Sequence, residues 1–211
     1  MNNKKFQQYN KRALSTVYSE GLGGFHDQII PEFTQRFLPE FQLPLDACII
    51  DIGCGAGLFA QSAHNLGYQD VTGVTLSPDD VAICESLGLK IKHADMSDLP
   101  WADGTIDFIW CRHALEHSPY PIFTLYEFHR VLKPGGKAFI EVPAPDNQRT
   151  WIHENNPNHY SILGDKMWQG LFGKAGFETQ AAWTYDTDQL INNVMVKEIS
   201  LLYGISKPVE L

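Results

Sequence analysis

Cys48-Ile49-Ile50-Asp51-Ile52-Gly53-Cys54-Gly55-Ala56-Gly57 is an apolar run that carries one acid and opens into three glycines at alternate positions. Cys48, Ile49, Ile50 and Ile52 read as a strand buried on both faces, and Leu58, Phe59, Ala60 and Ala63 continue as the apolar stripe of a helix. Strand, glycine turn and helix are therefore contiguous. The glycines let the backbone take positive φ and let a ligand come close, while the helix N-terminus beyond them presents unpaired N–H groups. This is the pattern of a cofactor-binding turn. A dinucleotide fingerprint would place its third glycine at position 58, which is Leu58, and a phosphate loop would need a Lys after the glycines, where there is none.

Outward from this turn the chain alternates strand and helix. Gly67 ends the first helix, Val71 to Thr75 reads as a second strand, and Ser77-Pro78-Asp79-Asp80 is a helix start with a cap, a proline in the first turn and two acids. Lys90 to His93, Ile106 to Cys111 and Lys137 to Val142 are three further strands, with a helix marked by Ile122, Leu125, Phe128 and Leu132 before the last of them. Asp165 to Lys174 reads as a helix, and Phe177 to Tyr185 and Asn193 to Ile199 as two closing strands. Upstream, Phe6 to Tyr18 and Ile30 to Leu38 have helical spacing. Strands separated by crossover helices imply a parallel, doubly wound sheet whose ligands lie outside the carboxyl ends of the strands.

A chain of 211 residues with 44% hydrophobic side chains builds one good core, so a single domain over residues 1–211 is expected. The net charge of -9 disfavours a nucleic-acid partner and suits a small-molecule substrate. Cys48, Cys54, Cys84 and Cys111 lack the paired spacing of a zinc site and read as reduced thiols. No signal core follows the N-terminus and no stretch reaches the roughly 18 apolar residues of a membrane span. A cytoplasmic protein with no membrane partner, monomeric or homodimeric, is the expectation.

The run Asp51-x-Gly53-x-Gly55-x-Gly57 resembles motif I of the class I, Rossmann-like S-adenosylmethionine (SAM) methyltransferases, and the chain looks like their type 11 group. The resemblance covers roughly residues 45 to 145. It implies an α/β fold, doubly wound, with a mostly parallel seven-stranded sheet, helices on both faces and an antiparallel C-terminal strand pair. It also implies SAM as cofactor, with the loop of Gly53, Gly55 and Gly57 passing under the methionine part. An acid at Asp51 suits that ammonium better than a pyrophosphate. In the family an acid at the end of the second strand accepts both ribose hydroxyls, whereas this chain has Thr75, followed by Leu76. A single hydroxyl bonds one ribose oxygen, so Thr75 and nearby backbone hold the ribose, or Asp79 or Asp80 reaches back; the two acids also suit a helix start. By the same resemblance Asp95 accepts from the adenine amino group, the Met96 N–H bonds a ring nitrogen, and Cys111 lies beside the cofactor. Asp103 to Phe108 and Leu132 to Gly136 match runs that are signals of fold rather than of chemistry.

The reactive cluster is Cys111-Arg112-His113-Ala114-Leu115-Glu116-His117, at a carboxyl edge beside the expected methyl group. As a bare pattern His113-x-x-Glu116-His117 is the inverted zinc-peptidase motif, although Ser118-Pro119 truncates its helix. Leu-Glu-His at this place in the family is structural or close to the cofactor. Methyl transfer is an in-line displacement, so His113 or His117, with an ordinary pKa near 6.5, is a candidate base, and Glu116 completes the catalytic set. The alternative follows small-RNA 2′-O-methyltransferases, which hold a divalent metal with a similar cluster and a further His, here His153 or His159. The principal reading assigns no metal. The aperiodic stretch from Ala144 to Gly164 leaves the fifth strand and is too aromatic to stay solvated, so Trp151, His153, His159 and Tyr160 are expected to wall the substrate. Residues 1–40 form a lid or packing arm that brings Tyr18 to the same site. The reading is a SAM-dependent methyltransferase acting on a small molecule by in-line transfer, the alternatives being a metal-assisted O-methyltransferase that uses His113, Glu116 and His117 or a SAM-binding non-catalytic subunit.

Overall fold

The computed structural model describes residues 25–145, 157–191 and 194–209, together with residues 4, 8, 11, 12, 14, 15 and 17 ahead of them. In chain order the elements are α1 (Phe25–Phe37), β1 (Ile49–Ile52), α2 (Leu58–Asn65), β2 (Val71–Thr75), α3 (Pro78–Ser86), β3 (Lys90–His93), β4 (Ile106–Arg112), α4 (Pro121–Val131), β5 (Leu132–Pro143), α5 (Asp165–Lys174), β6 (Glu178–Ile191) and β7 (Val194–Ser206). Short 3-10 turns follow α1 and β4, at Leu38–Phe41 and Leu115–His117.

Ile49, Ile50 and Ile52 have no exposed surface, and β1 accordingly lies inside the sheet between β2 and β4. The strand order is β3-β2-β1-β4-β5-β7-β6. β1 to β5 are parallel, and β7 runs against both β5 and β6, so it is the one reversed strand. Alternation along the central strands divides the core into two layers. Ile109 and Ile140 pack with Leu125, Phe128, Trp168 and Phe172 of α4 and α5. Phe108, Trp110 and Phe139 pack with Phe59 of α2 and Phe33 of α1 on the other face. There Trp110 stacks between Phe59 and Phe139, with ring centroids 4.6 and 4.3 Å apart. The doubly wound α/β architecture, with its antiparallel C-terminal pair, is the one expected.

Local chemistry accounts for the boundaries. The Ser77 side chain accepts from the Asp80 N–H and caps α3 ahead of Pro78. Lys133 Nζ donates to both carboxylate oxygens of Asp107 at 2.8 Å, and Asp107 also accepts from the Cys48 N–H. That clamp ties the entries of β1, β4 and β5 together, which is the structural work of the Asp103–Phe108 and Leu132–Gly136 runs.

Several elements exceed their expected lengths. α1 begins at Phe25 rather than Ile30 and carries Pro31 inside it. β5 begins at Leu132, which pairs with Ile106 ahead of the glycines. β7 continues to Ser206 because residues 200–206 pair with residues 137–143 of β5, and β6 lengthens with it. Among the described residues no helix is long and apolar enough to cross a membrane.

Candidate active site

β1 ends at Ile52, and the chain turns through Gly53, Gly55 and Gly57 at φ of 70°, 49° and 78° before α2 begins. A side chain at Gly53 would place its Cβ 2.6 Å from the Ala114 Cβ, whereas one at Gly55 would meet nothing within 4 Å. Gly53 therefore permits close packing against the loop after β4, and Gly55 exposes backbone to open space. That space is a cleft along the carboxyl ends of β1, β2 and β4. Gly53, Gly55, Thr75, Leu76, Asp95 and Met96 line one end, and His113, His117, Asn158 and Tyr160 line the other, with Leu14 and Val17 of the N-terminal segment also on its wall. Gly57 lies off the wall, packed toward Leu89 and Cys84. Cys111 is fully buried, paired across the sheet with Ile52 and Ile140, and its thiol is part of the core rather than of the cleft.

Asp51 sits just beneath the glycine turn, 4% exposed, and among the described residues its carboxylate makes no hydrogen bond or ion pair. Burial pushes it up to about 8, the nearby Cys84 adds to the rise, and Arg112 opposes it. A dry, unpartnered carboxylate at the mouth of a glycine turn fits an ammonium arriving from a ligand. At the next strand Thr75 Oγ1 accepts from the Ser77 N–H at 3.0 Å and so organises the turn into α3. Asp80, 3% exposed, stands on the cleft wall beside Thr75, whereas Asp79 points to solvent. Asp80 is thus the acid that shares the cleft wall with Thr75. Asp95 accepts from the Ser97 N–H at 2.9 Å, which fixes the loop that brings Asp95 and Met96 to the wall. A buried acid for an ammonium, open glycine backbone, an acid in the first turn of α3 and an apolar wall of Leu76 and Met96 together fit SAM.

The other end holds a buried ionic cluster created by strand register. Arg112 pairs with Glu141 across β4 and β5, and the guanidinium forms an ion pair with the Glu141 carboxylate while lying 4.7 Å over the Phe33 ring. His113 follows at φ of 48°, a left-handed conformation uncommon for a side-chain residue, so the chain turns and the imidazole faces back over the sheet. Its Nε2 is 3.1 Å from Glu141 Oε1 and 3.3 Å from Ser200 Oγ, and its Nδ1 is 3.5 Å from Glu116 Oε1. Burial pulls His113 down, but the Glu141 charge and the bonds to Glu116 and Glu141 outweigh it and raise the imidazole to about 10. Burial likewise opposes the charge on Glu141, and Arg112 with His113 reverses this, holding it down to about 2. His113 is therefore an imidazolium at neutral pH, a donor between two carboxylates and no acceptor of a proton.

His117 is placed differently. Its Nδ1 lies 3.0 Å from the Asn158 carbonyl, which can only accept, so Nδ1 carries the hydrogen. The His159 ring meets it edge-on at 4.7 Å. The Glu116 carbonyl accepts from the Tyr160 and Ser161 N–H groups, stitching residues 158–161 onto the turn that carries Glu116 and His117. Sequence reasoning thus had His117 and Tyr160 on the wall of this end. Tyr18, Trp151 and His153 lie outside the described residues. It quoted Arg112 in the reactive cluster without a role and missed Glu141, Ser200 and Asn158; a carboxylate inside the apolar run Ala138-Phe139-Ile140-Glu141-Val142 is the signal for Glu141.

Comparison with known proteins agrees with this geometry. Residues 50–140 match the family described as a methyltransferase domain. A sterol 4-C-methyltransferase of Caenorhabditis elegans is 29% identical over 171 residues, covering 72% of this chain and 50% of that protein. A ubiquinone biosynthesis O-methyltransferase of Xanthomonas oryzae pv. oryzae is 36% identical over 101 residues, covering 44% of this chain and 42% of that protein. The chain thus spans about half the length of the curated relatives it matches. Among solved structures, a SAM-dependent methyltransferase from Archaeoglobus fulgidus superposes with a TM-score of 0.70 at 16% identity, covering 96% of this chain and 99% of that one, and so shares its fold.

Proposed function

We propose that this chain, which carries a class I SAM-dependent methyltransferase domain, transfers the methyl group of SAM to a hydroxyl oxygen of a small ring alcohol or phenol. The observation that carries the reading is Asp51, a buried carboxylate without a partner among the described residues, under a glycine turn that opens into the cleft. The relatives named for sterol and ubiquinone methylation support a small-molecule acceptor. The four free thiols support a reducing, cytoplasmic setting.

The cofactor supplies a methyl carbon bonded to a sulfonium: the acceptor oxygen forms its bond to that carbon as the C–S bond breaks, the electron pair passes to sulfur, and S-adenosylhomocysteine is left. The protein's part is alignment and proton removal. Asp51 holds the ammonium, Asp80 and Thr75 the ribose, and Leu76, Asp95 and Met96 the adenine. Arg112, His113 and Glu141 fix the floor between donor and acceptor. The acceptor's proton leaves at the His117 end, because His113 is already protonated. The test is incubation with methyl-labelled SAM and a panel of phenols and ring alcohols. Label in an O-methylated product, with an equal amount of S-adenosylhomocysteine, is expected; tight binding of SAM with no transfer to any member would favour a non-catalytic subunit.

A pH dependence follows from Asp51. Its raised folded pKa stabilises the free protein at low pH, in full below the ordinary 3.8, and that contribution is lost as the pH rises through about 8. An incoming ammonium favours the ionised carboxylate, so binding below pH 8 releases a proton and tightens as the pH rises. Above about 8 the carboxylate is already ionised, so the rise levels off. Calorimetry with S-adenosylhomocysteine should give an affinity that rises toward about pH 8 and then levels off, and Asp51→Asn should remove that rise. An unchanged profile in the variant would show that Asp51 does not meet the ammonium.

A further inference from the structure

We propose that Glu116, His117 and His159 form a binding site for a first-row divalent transition metal of the zinc class on the acceptor side of the cleft. One ligand atom from each of the three lies within 4.8 Å of the others. Tetrahedral zinc with bonds of about 2.0–2.2 Å sets its ligands about 3.3 Å apart, so closure requires a shift of at most about 1.5 Å. His159 stands outside helix and strand, where such a shift costs least.

Three independent features of the site fit a cation. Glu116 is 1% exposed, and its Oε2 is buried without a hydrogen-bond partner among the described residues, whereas Oε1 faces His113. The Nδ1–H of His117 donates to the Asn158 carbonyl, the backbone-anchored imidazole common at metal sites, and Nε2 is the nitrogen that would meet the ion. The bonds from the Tyr160 and Ser161 N–H groups to the Glu116 carbonyl bind the two ligand-bearing segments to each other. His113 is not part of the set, because Glu141 and Ser200 hold its Nε2. Of the sequence-based alternative, Glu116, His117 and the further His at His159 stand together, while His113 drops out of the ligand set.

Two imidazoles and one carboxylate select zinc, cobalt, iron or nickel over magnesium or calcium. Of the three residues His117 is the one on the cleft wall, so the open side of the ion faces the acceptor. Resting on the methyl-transfer reading, its role there is to draw an acceptor hydroxyl and favour loss of its proton to solvent, in place of direct uptake by the His117 imidazole.

Protein made without a histidine tag and stripped with chelator is titrated with Co2+, followed by ligand-field absorption, and then with Zn2+ in competition. Uptake of one equivalent is expected. His159→Ala and Glu116→Gln should each weaken it by about 100-fold or more, and His64→Ala, on α2, should leave it unchanged. Calorimetry with S-adenosylhomocysteine on the same preparations reports that each variant is folded. Absence of metal uptake by protein that binds S-adenosylhomocysteine overturns the site and leaves the methyltransferase reading intact, as does uptake indifferent to both variants. Uptake that depends on Glu116 and His159 in protein that binds no S-adenosylhomocysteine supports the site and defeats the methyltransferase reading.

Discussion

Glu141→Ala should destabilise the protein by about 3–5 kcal/mol, because it removes the shared counter-charge of two buried cations. Glu141 is 1% exposed and is the carboxylate that both the Arg112 guanidinium and the His113 imidazolium face. Without it, Arg112 retains its contact with the Phe33 ring and His113 retains Glu116, and neither replaces the lost charge. Glu141→Gln keeps the shape and should cost nearly as much, since the charge is what the cluster lacks. Lys90→Ala breaks an exposed pair with Asp70, the two side chains being 58% and 46% accessible, and should change stability by less than about 1 kcal/mol. Denaturant unfolding of the three variants checks this; a Glu141→Ala loss no larger than that of Lys90→Ala would mean that the cluster does not hold the sheet to the loop after β4.

Gly53→Ala should weaken binding of S-adenosylhomocysteine by about 100-fold or more, a loss of about 2.7 kcal/mol. Two costs coincide at this position. The backbone sits at φ of 70°, and the added methyl lies 2.6 Å from the Ala114 Cβ, so either the glycine turn or the loop after β4 must move. Both line the cleft. Gly88→Ala isolates the first cost, because Gly88 has nearly the same φ, 69°, nothing within 4 Å of the added methyl, and a place beyond α3 rather than on the cleft wall. It should lower stability by about 1–2 kcal/mol and leave affinity unchanged. Calorimetry and thermal unfolding of both variants separate strain from site geometry; equal affinity in the two would show that the close approach at Gly53 does not shape the cleft.

The elements that the sequence specified best are those with local punctuation. β2, α3 and β3 begin and end where Thr75, the Ser77 cap with Pro78, Gly88 and His93 place them. The cofactor end was legible for the same reason, since the glycine turn and the Asp95 turn act through neighbours in sequence. The ionic cluster was not. Arg112 and Glu141 meet because β4 and β5 are in that register, and Ser200 joins them because β7 pairs with β5; neither follows from residues close in the chain. The same non-local pairing sets the lengths of β6 and β7: the polar run from Asp186 to Gln189 of β6 and residues 200–206 of β7 join the sheet through their partner strands. His113 looked like a base because its neighbours in sequence do not include Glu141, the carboxylate whose charge contributes most to holding it protonated.

The most direct measurement of the central claim is calorimetry of the free protein with S-adenosylhomocysteine and, separately, with NADH. Asp51, the two-residue glycine spacing and the acid at Asp80 predict one equivalent of S-adenosylhomocysteine bound and no heat from NADH. Binding of NADH with none of S-adenosylhomocysteine would contradict the account.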